Sequence, residues 1–284
     1  MELMGKMLSR FLPNKINKKL LYHKKYQQLK NSTLDTYLQK NKQFKAVYQG
    51  KRCFVLGNGP SLNKMDFSIL KDEITFTVND LFYHKDFDKL NTSFHVFADP
   101  FYFNEPVEIL NKLFLHSNPS GVFMEGSGLA AVIKTELHKE YPIFFYANGL
   151  EVEDLLFEPI DLCKFLPYFC TVVQSAVMLA VYMGFSEIYL LGCDCTGILN
   201  YIDRVQDHKI KHYAYQLPTE EIEKHKKISI SSEHMFYEWY HIFKSYRLLR
   251  EVLKQKGVRI INLSEDGILD SLEKGKLKDV IQSK

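Results

Sequence analysis

The sequence predicts an α/β protein with a doubly wound, mostly parallel sheet and a lid subdomain. Three observations predict it. Short apolar runs rich in β-branched and aromatic residues alternate with helix-like segments from residue 52 to 263. Four of the runs end in glycine or polar residues, at the strand ends where such sheets bind ligands. Residues 197–232 form a basic, tyrosine-bearing connection, longer than compact domains use without a purpose.

Arg52–Leu56 is the first strand, and it breaks into Gly57-Asn58-Gly59-Pro60-Ser61. Glycines allow a sharp turn and a close approach to a ligand, Pro60 pre-sets φ, and Ser61 is placed to cap the next helix. A strand feeding a glycine-rich turn and a helix start is an anion site, though an ordinary tight turn fits the same residues. Asp66–Leu70 reads as a helical turn. Ile74–Val78 is the second strand, ending in Asn79-Asp80, and Ser93–Ala98 the third, ending in Asp99-Pro100. Pro106–Leu115 reads as a helix, and Val122–Met124 and Pro142–Tyr146 as strands. Thr171–Met183 has the apolar density of a buried helix and is stopped by Gly184. Glu187–Leu191 is a strand running into Gly192-Cys193-Asp194. Glu233–Lys256 is a long helix closed at Gly257, and Val258–Leu263 is the last strand. The architecture is therefore Rossmann-like.

A chain of 284 residues, 46% hydrophobic, can bury one large core, which excludes global disorder. No apolar run reaches the ~20 residues of a membrane span. Residues 1–13 do not read as a signal peptide, because Lys6 and Arg10 interrupt the apolar residues. The five cysteines form no Cys-x-x-Cys pair, so neither a zinc site nor a disulfide framework is expected, and a reducing cytoplasm is. Charge is unevenly spread. Residues 1–52 carry thirteen Lys or Arg and two acids, for a net +11 against −8 in the remainder. Leu3, Met4, Met7, Leu8, Phe11, Leu12, Ile16, Leu20 and Leu21 recur among them at roughly helical spacing. Residues 1–50 are thus expected to be a basic amphipathic arm on a domain of residues 51–284. It is suited either to an anionic membrane surface or to packing on the domain or a second protomer. Nucleic acid is not an expected partner, since the globular part is acidic and lacks a nucleic-acid motif.

The lid carries Arg204, His208, Lys209, Lys211, His212 and Lys224–Lys227, with Tyr201, Tyr213 and Tyr215. Cations and tyrosines suit a phosphate-bearing donor, although a solvated loop has the same composition.

Taken together, Phe54-Val55-Leu56-Gly57-Asn58-Gly59-Pro60-Ser61-Leu62, Asn79, Asp99-Pro100, Thr171 and Ile188-Tyr189-Leu190-Leu191-Gly192-Cys193-Asp194 resemble the bacterial sialyltransferases of glycosyltransferase family 42. The likeness runs from about residue 52 to 263 and is continuous only around these motifs. The Gly-Asn-Gly-Pro-Ser-Leu turn is also similar to that of 6-hydroxymethylpterin diphosphokinase-like proteins of polysaccharide gene clusters, so the turn does not choose between the two. The sialyltransferase resemblance implies a donor sugar activated by CMP, sialic-acid-like or another sugar acid, with no metal and no further cofactor. It implies a glycan or lipid-linked glycan acceptor at the cytoplasmic face of the membrane, and homo-oligomerisation is left open. By position, Asn58, Gly59, Pro60 and Ser61 would hold the nucleotide phosphate and ribose. Asn79 would contact the donor, with Asp99 beside it. Thr171, Gly192, Cys193 and Asp194 would line the cytidine pocket.

The family's catalytic histidine falls near the start of the last long helix, where His234 and His241 compete. His234 is favoured, because it sits at the helix start near strand ends and lid, where the helix dipole favours an uncharged ring. Tyr201, Tyr213 or Tyr215 would steady the leaving phosphate. The chain departs from the family at Asp99, where the family has Asn, at Val172, where it has Ser, and at Cys195-Thr196, where its tyrosines sit. These departures leave other CMP-linked sugar acids open. Two competing readings arise from the same residues. One is a magnesium-dependent diphosphokinase using Asp99 and Asp194 as ligands. The other is a non-catalytic, membrane-tethered partner.

Overall fold

The computed structural model describes residues 14–199, 214–215 and 231–282, and the side chains of residues 14–19 stand outside that description. Nine strands form one sheet, in the order β6-β5-β4-β3-β2-β1-β7-β8-β9. They are β1 (Arg52–Leu56), β2 (Thr75–Val78), β3 (Phe94–Phe97), β4 (Gly121–Glu125), β5 (Ile143–Leu150), β6 (Phe165–Pro167), β7 (Glu187–Leu191), β8 (Arg259–Asn262) and β9 (Glu273–Lys274). Every pairing is parallel. The helices are α1 (Asn14–Lys30), α2 (Thr33–Leu38), α3 (Pro106–His116), α4 (Leu129–Lys134), α5 (Val172–Tyr182), α6 (Ser232–Gln255) and α7 (Leu277–Ile281).

Successive side chains of a strand point to opposite faces, and both faces of this sheet are covered. Cys53, Val55, Phe76, Val78, Ile188 and Leu190 pack under α5 and α6, with Ala176, Met178, Leu179, Tyr246, Leu249 and Val252. Phe54, Leu56, Tyr189, Leu191, Val122 and Met124 pack on the other side with Leu110, Leu113, Val132, Phe67 and Phe82. That double coverage is why the strands read as continuous apolar runs rather than alternating ones. The predicted helix stops hold: Phe185 N–H returns to the Ala180 carbonyl after α5, and Val258 N–H to Leu253 after α6.

The chain lays β1 to β6 outward in order, then returns through α5 to place β7 on the other side of β1. The winding reverses between β1 and β7, and open parallel sheets bind ligands beyond the carboxyl ends of their strands at such a point. It is formed here by the two loops that sequence motifs singled out.

The described part of the arm lies against the domain. On α1, Tyr22 donates its hydroxyl to Asp154, Lys25 Nζ donates to Gly149 O at 2.9 Å, and the Tyr26 ring meets Phe165 at 5.4 Å. Leu38 and Asn41 are buried, and Asn41 Nδ2 donates to Phe145 O at 2.7 Å. Arg52, counted in the basic segment, is held by Glu73 and by the Val280 carbonyl of α7. Leu20 and Leu21 face solvent. Among the described residues, no helix is long and apolar enough to cross a membrane. All five cysteines are free.

Candidate functional site

The turn after β1 and the loop after β7 hold each other. Gly57 N–H donates to the Leu191 carbonyl at 2.8 Å, and Gly59 N–H to the Gly192 carbonyl at 2.8 Å. A Cβ on Gly59 would lie 2.5 Å from Asp194 Oδ2 and 2.6 Å from Gly192 O. Gly192 itself has φ +61°, which glycine adopts without steric cost. Asp194 is 1% exposed, and its carboxylate accepts both the Ser61 N–H, at 2.8 Å, and the Ser61 hydroxyl. Its own carbonyl accepts from Ile268 N–H at 2.8 Å. Hydrogen bonds to an ionised group contribute roughly 1.5–3 kcal/mol each, so this clasp is a substantial part of the local stability.

The clasp corrects one expectation. Ser61 does not cap a helix: Pro60 opens a 3-10 turn over Pro60–Lys64 whose N-cap, Gly59, makes no side-chain bond. Ser61 and Asp194 bond to each other and so shape the turn that is expected to face a phosphate. Gly59 likewise leaves room for protein backbone and Asp194.

Other polar groups nearby are not spent. The Asn58 carbonyl accepts from Ala214 N–H at 3.0 Å, but Asn58 Oδ1 is buried with no partner among the described residues. Asn79 Oδ1, at the end of β2, is in the same state, as are Thr196 Oγ1 after β7 and Gln174 Oε1 in the first turn of α5. Buried polar atoms are nearly always paired, so four unpaired ones at one end of the sheet point to a ligand that binds there. Of the others, Thr92 Oγ1 precedes β3, whereas Asn148 Oδ1 lies within β5. Thr171 is the N-cap of α5 and makes no side-chain cap bond, while Gln174 Nε2 donates to Ile242 O of α6 at 3.0 Å. Gln174 and Thr196 were not singled out by motif. Their signal was a polar residue inside an apolar run and beside a strand end.

Asp99 has an ordinary local role. It caps the 3-10 turn Pro100–Phe103 by accepting from Phe101 N–H at 2.9 Å, and it is exposed. The two carboxylates that a diphosphokinase site would use are therefore each engaged by a loop N–H. Among the described residues, no group of three or more His, Cys, Asp or Glu is placed to hold a metal.

Within the lid, the structure describes 197–199 at its start, Ala214 and Tyr215 in its middle, and Ser231 and Ser232 at its end. Ala214 is buried against the β1 turn, and the Tyr215 ring lies 6.3 Å from Tyr83. Tyr201, Tyr213 and the lid's basic residues lie outside the described residues. At the lid's start, Gly197 approaches Trp239 of α6.

The two histidines differ. His234 is in the first turn of α6, where its N–H donates to the Ser231 hydroxyl oxygen at 3.2 Å. Its Nε2 is 3.2 Å from Glu238 Oε1, and its side chain is 58% exposed. His241 is half-buried between Tyr237, at 4.2 Å, and Tyr240, at 5.3 Å. Burial pushes the Cys170 thiol, in the loop between β6 and α5, up to about 11, and the Glu238 charge adds to it.

A cavity of about 440 Å³ opens on the far side of the β1 turn, walled by Leu62, Met65, Ile69, Leu191, Leu263 and Leu277. It shares Ser61, Leu191 and Gly192 with the clasp above.

No protein-family model matches the chain, and no curated protein matches it. Among solved structures it is similar to the sialyltransferase CstII from Campylobacter jejuni in complex with the substrate analogue cytidine-5'-monophosphate. That likeness has a TM-score of 0.48 and 18% identity over 80% of this chain and 85% of that one. With CstII bound to CMP-3FNeuAc the values are 0.46 and 18%, over 78% and 84%. It is also similar to the MAf glycosyltransferase from Magnetospirillum magneticum AMB-1, with a TM-score of 0.47 and 12% identity, over 89% of this chain and 39% of that chain.

Proposed function

We propose that the chain is a metal-independent glycosyltransferase that moves a sugar acid from a CMP-activated donor to a surface glycan or lipid-linked glycan. The observation that carries this reading is the set of unpaired side-chain atoms of Asn58, Asn79, Gln174 and Thr196 at the β1–β7 switch point. Asn58 is in the turn whose sequence resembles that of the family 42 sialyltransferases, Asn79 and Thr196 follow β2 and β7, and Gln174 is in the first turn of α5. Carboxamide and hydroxyl groups recognise a ribose, a sugar or a base without adding charge, which suits a donor that is already anionic.

In the proposed reaction the acceptor hydroxyl oxygen attacks the anomeric carbon. The bond from that carbon to the CMP phosphate oxygen breaks, inverting the centre, and CMP departs with the bonding pair. His234 takes the hydroxyl proton. With Nε2–H turned to Glu238, Nδ1 is the nitrogen left to receive it. Lid tyrosines and cations, Tyr215 being the described one, steady the departing phosphate. The net positive segment of residues 1–52, with Leu20 and Leu21 exposed on α1, supports a peripheral hold on an anionic membrane face.

A thermal-shift screen of CMP, CDP, UDP, GDP and ATP, with and without magnesium, tests the reading. A ligand that binds only the folded state raises its melting temperature. CMP is expected to stabilise in chelator as well as in magnesium. Stabilisation by ATP that requires magnesium would overturn the reading in favour of phosphoryl transfer.

A further inference from the structure

Asn79 has φ +46°, in the left-handed region that residues with a side chain rarely adopt. Asparagine tolerates that region best when its side chain bonds locally, yet Oδ1 of Asn79 meets no protein group. The anchor is on the neighbouring strand. His95 Nε2 lies 3.0 Å from the Asn79 carbonyl oxygen, and His95 Nδ1 lies 2.7 Å from the Thr77 hydroxyl. A carbonyl only accepts, so Nε2 carries the hydrogen and Nδ1 accepts from Thr77. The ring is wholly buried, between Phe97 at 4.5 Å and Phe82 at 6.1 Å. Burial pushes its pKa down to about 3, so it is neutral with one fixed tautomer.

We propose that His95 is a positioning residue for the ligand site. It ties down the Asn79 carbonyl, keeps that residue left-handed, and so leaves the carboxamide free for a hydroxyl of the bound nucleotide. Backbone strain of this kind persists where the surroundings over-determine it, and it collects at ligand clamps. The inference rests on the nucleotide-sugar reading above for its purpose, and on the Thr77–His95–Asn79 geometry for its means.

Two double-mutant cycles test it, on the full chain, with Asn79→Gly, His95→Leu and their combination. In the first, without ligand, the urea midpoint is read. Asn79→Gly is expected to raise it, because glycine takes a positive φ freely. In the His95→Leu background the gain should shrink, because Asn79 has already relaxed. Equal gains in both backgrounds would overturn the positioning role.

In the second cycle CMP is the probe and calorimetry the readout. Each single variant is expected to weaken CMP by about tenfold, and the double variant no further, since contacting residues are not additive. His95→Gln should recover most of the affinity, because its amide can donate to the Asn79 carbonyl and accept from Thr77. Additive losses, or a His95→Gln no better than His95→Leu, would show a packing role only. Should His95→Leu not fold, Thr77→Val replaces it in both cycles, since it removes the ring's second hydrogen bond together with a long one to the Phe94 carbonyl. Should wild type bind none of the nucleotides, the nucleotide reading alone falls, and the ligand-free cycle decides the positioning by itself.

Discussion

The two ends of the cleft are built from different materials. At the β1–β7 end, backbone approaches backbone: Gly57 and Gly59 donate to Leu191 and Gly192, and the buried Asp194 closes the turn through Ser61. At the α6 end the functional groups are side chains on an exposed helix face, with His234 paired to Glu238 and with Tyr237 and Tyr240 in solvent. The difference teaches that the glycine motif is architecture first. Changes at the first end are therefore expected to act on folding, and a change at His234 on the proposed chemistry.

Gly59→Val should break the first end, and it is the largest effect expected. Its Cβ would meet the Gly192 backbone oxygen at 2.6 Å, an atom that cannot give without opening the β7 loop. Overpacking a tight site costs about 1–3 kcal/mol and occasionally more, and the Asp194 clasp would be lost with it. If Gly59 only left space for a ligand, the variant would stay folded and merely fill that space. The geometry predicts instead a urea midpoint well below wild type. A variant with a wild-type midpoint that fails to bind CMP would restore the simpler expectation.

His234→Ala tests the second end. Loss of a general base costs roughly a hundredfold in turnover. The ring is exposed, so stability should change by no more than about 0.5 kcal/mol, and CMP affinity should stay as it is. His241→Ala should do the reverse, losing ring packing against Tyr237 and Tyr240 while keeping turnover. Activity lost from His241→Ala in a folded protein would move the base two turns along α6.

Legibility in the sequence divides along the same line. The strands from β1 to β5, β7 and β8 showed as apolar runs because both faces are buried, and Gly184 and Gly257 marked helix ends because those turns need them. Two strands left no trace. β6 is three residues ending in Pro167 on the sheet edge, past a register shift in β5, and β9 is two exposed residues. Neither is long enough for a period to form. The site was legible where backbone dictates residue type, as in Gly57–Ser61. It was not legible where a side chain's partner comes from far away: Ser61 finds Asp194, Gln174 finds Ile242, and His95 finds Asn79. A sequence records such residues singly and does not show which pairs meet, so the bond between Ser61 and Asp194 could not be read from it.

Glu238→Gln is the smallest change and the finest test of the comparison. The pair with His234 is solvent-exposed, at 58% and 38% of the two side chains. Exposed pairs contribute about 0–1 kcal/mol, because water screens them and two side chains must be held in place. In the proposed reaction Glu238 steadies the positive charge that His234 gains, so its removal should lower turnover by about fivefold at most. CMP affinity and the urea midpoint should not move. Salt separates this from a steric effect. Added salt screens exposed charges, so it should draw wild-type turnover down toward the variant and leave the variant unchanged. A hundredfold loss, insensitive to salt, would mean that substrate buries the pair when it binds. The α6 end would then be as enclosed in the working state as the β1–β7 end is in this one, and the contrast between them would hold only before substrate binds.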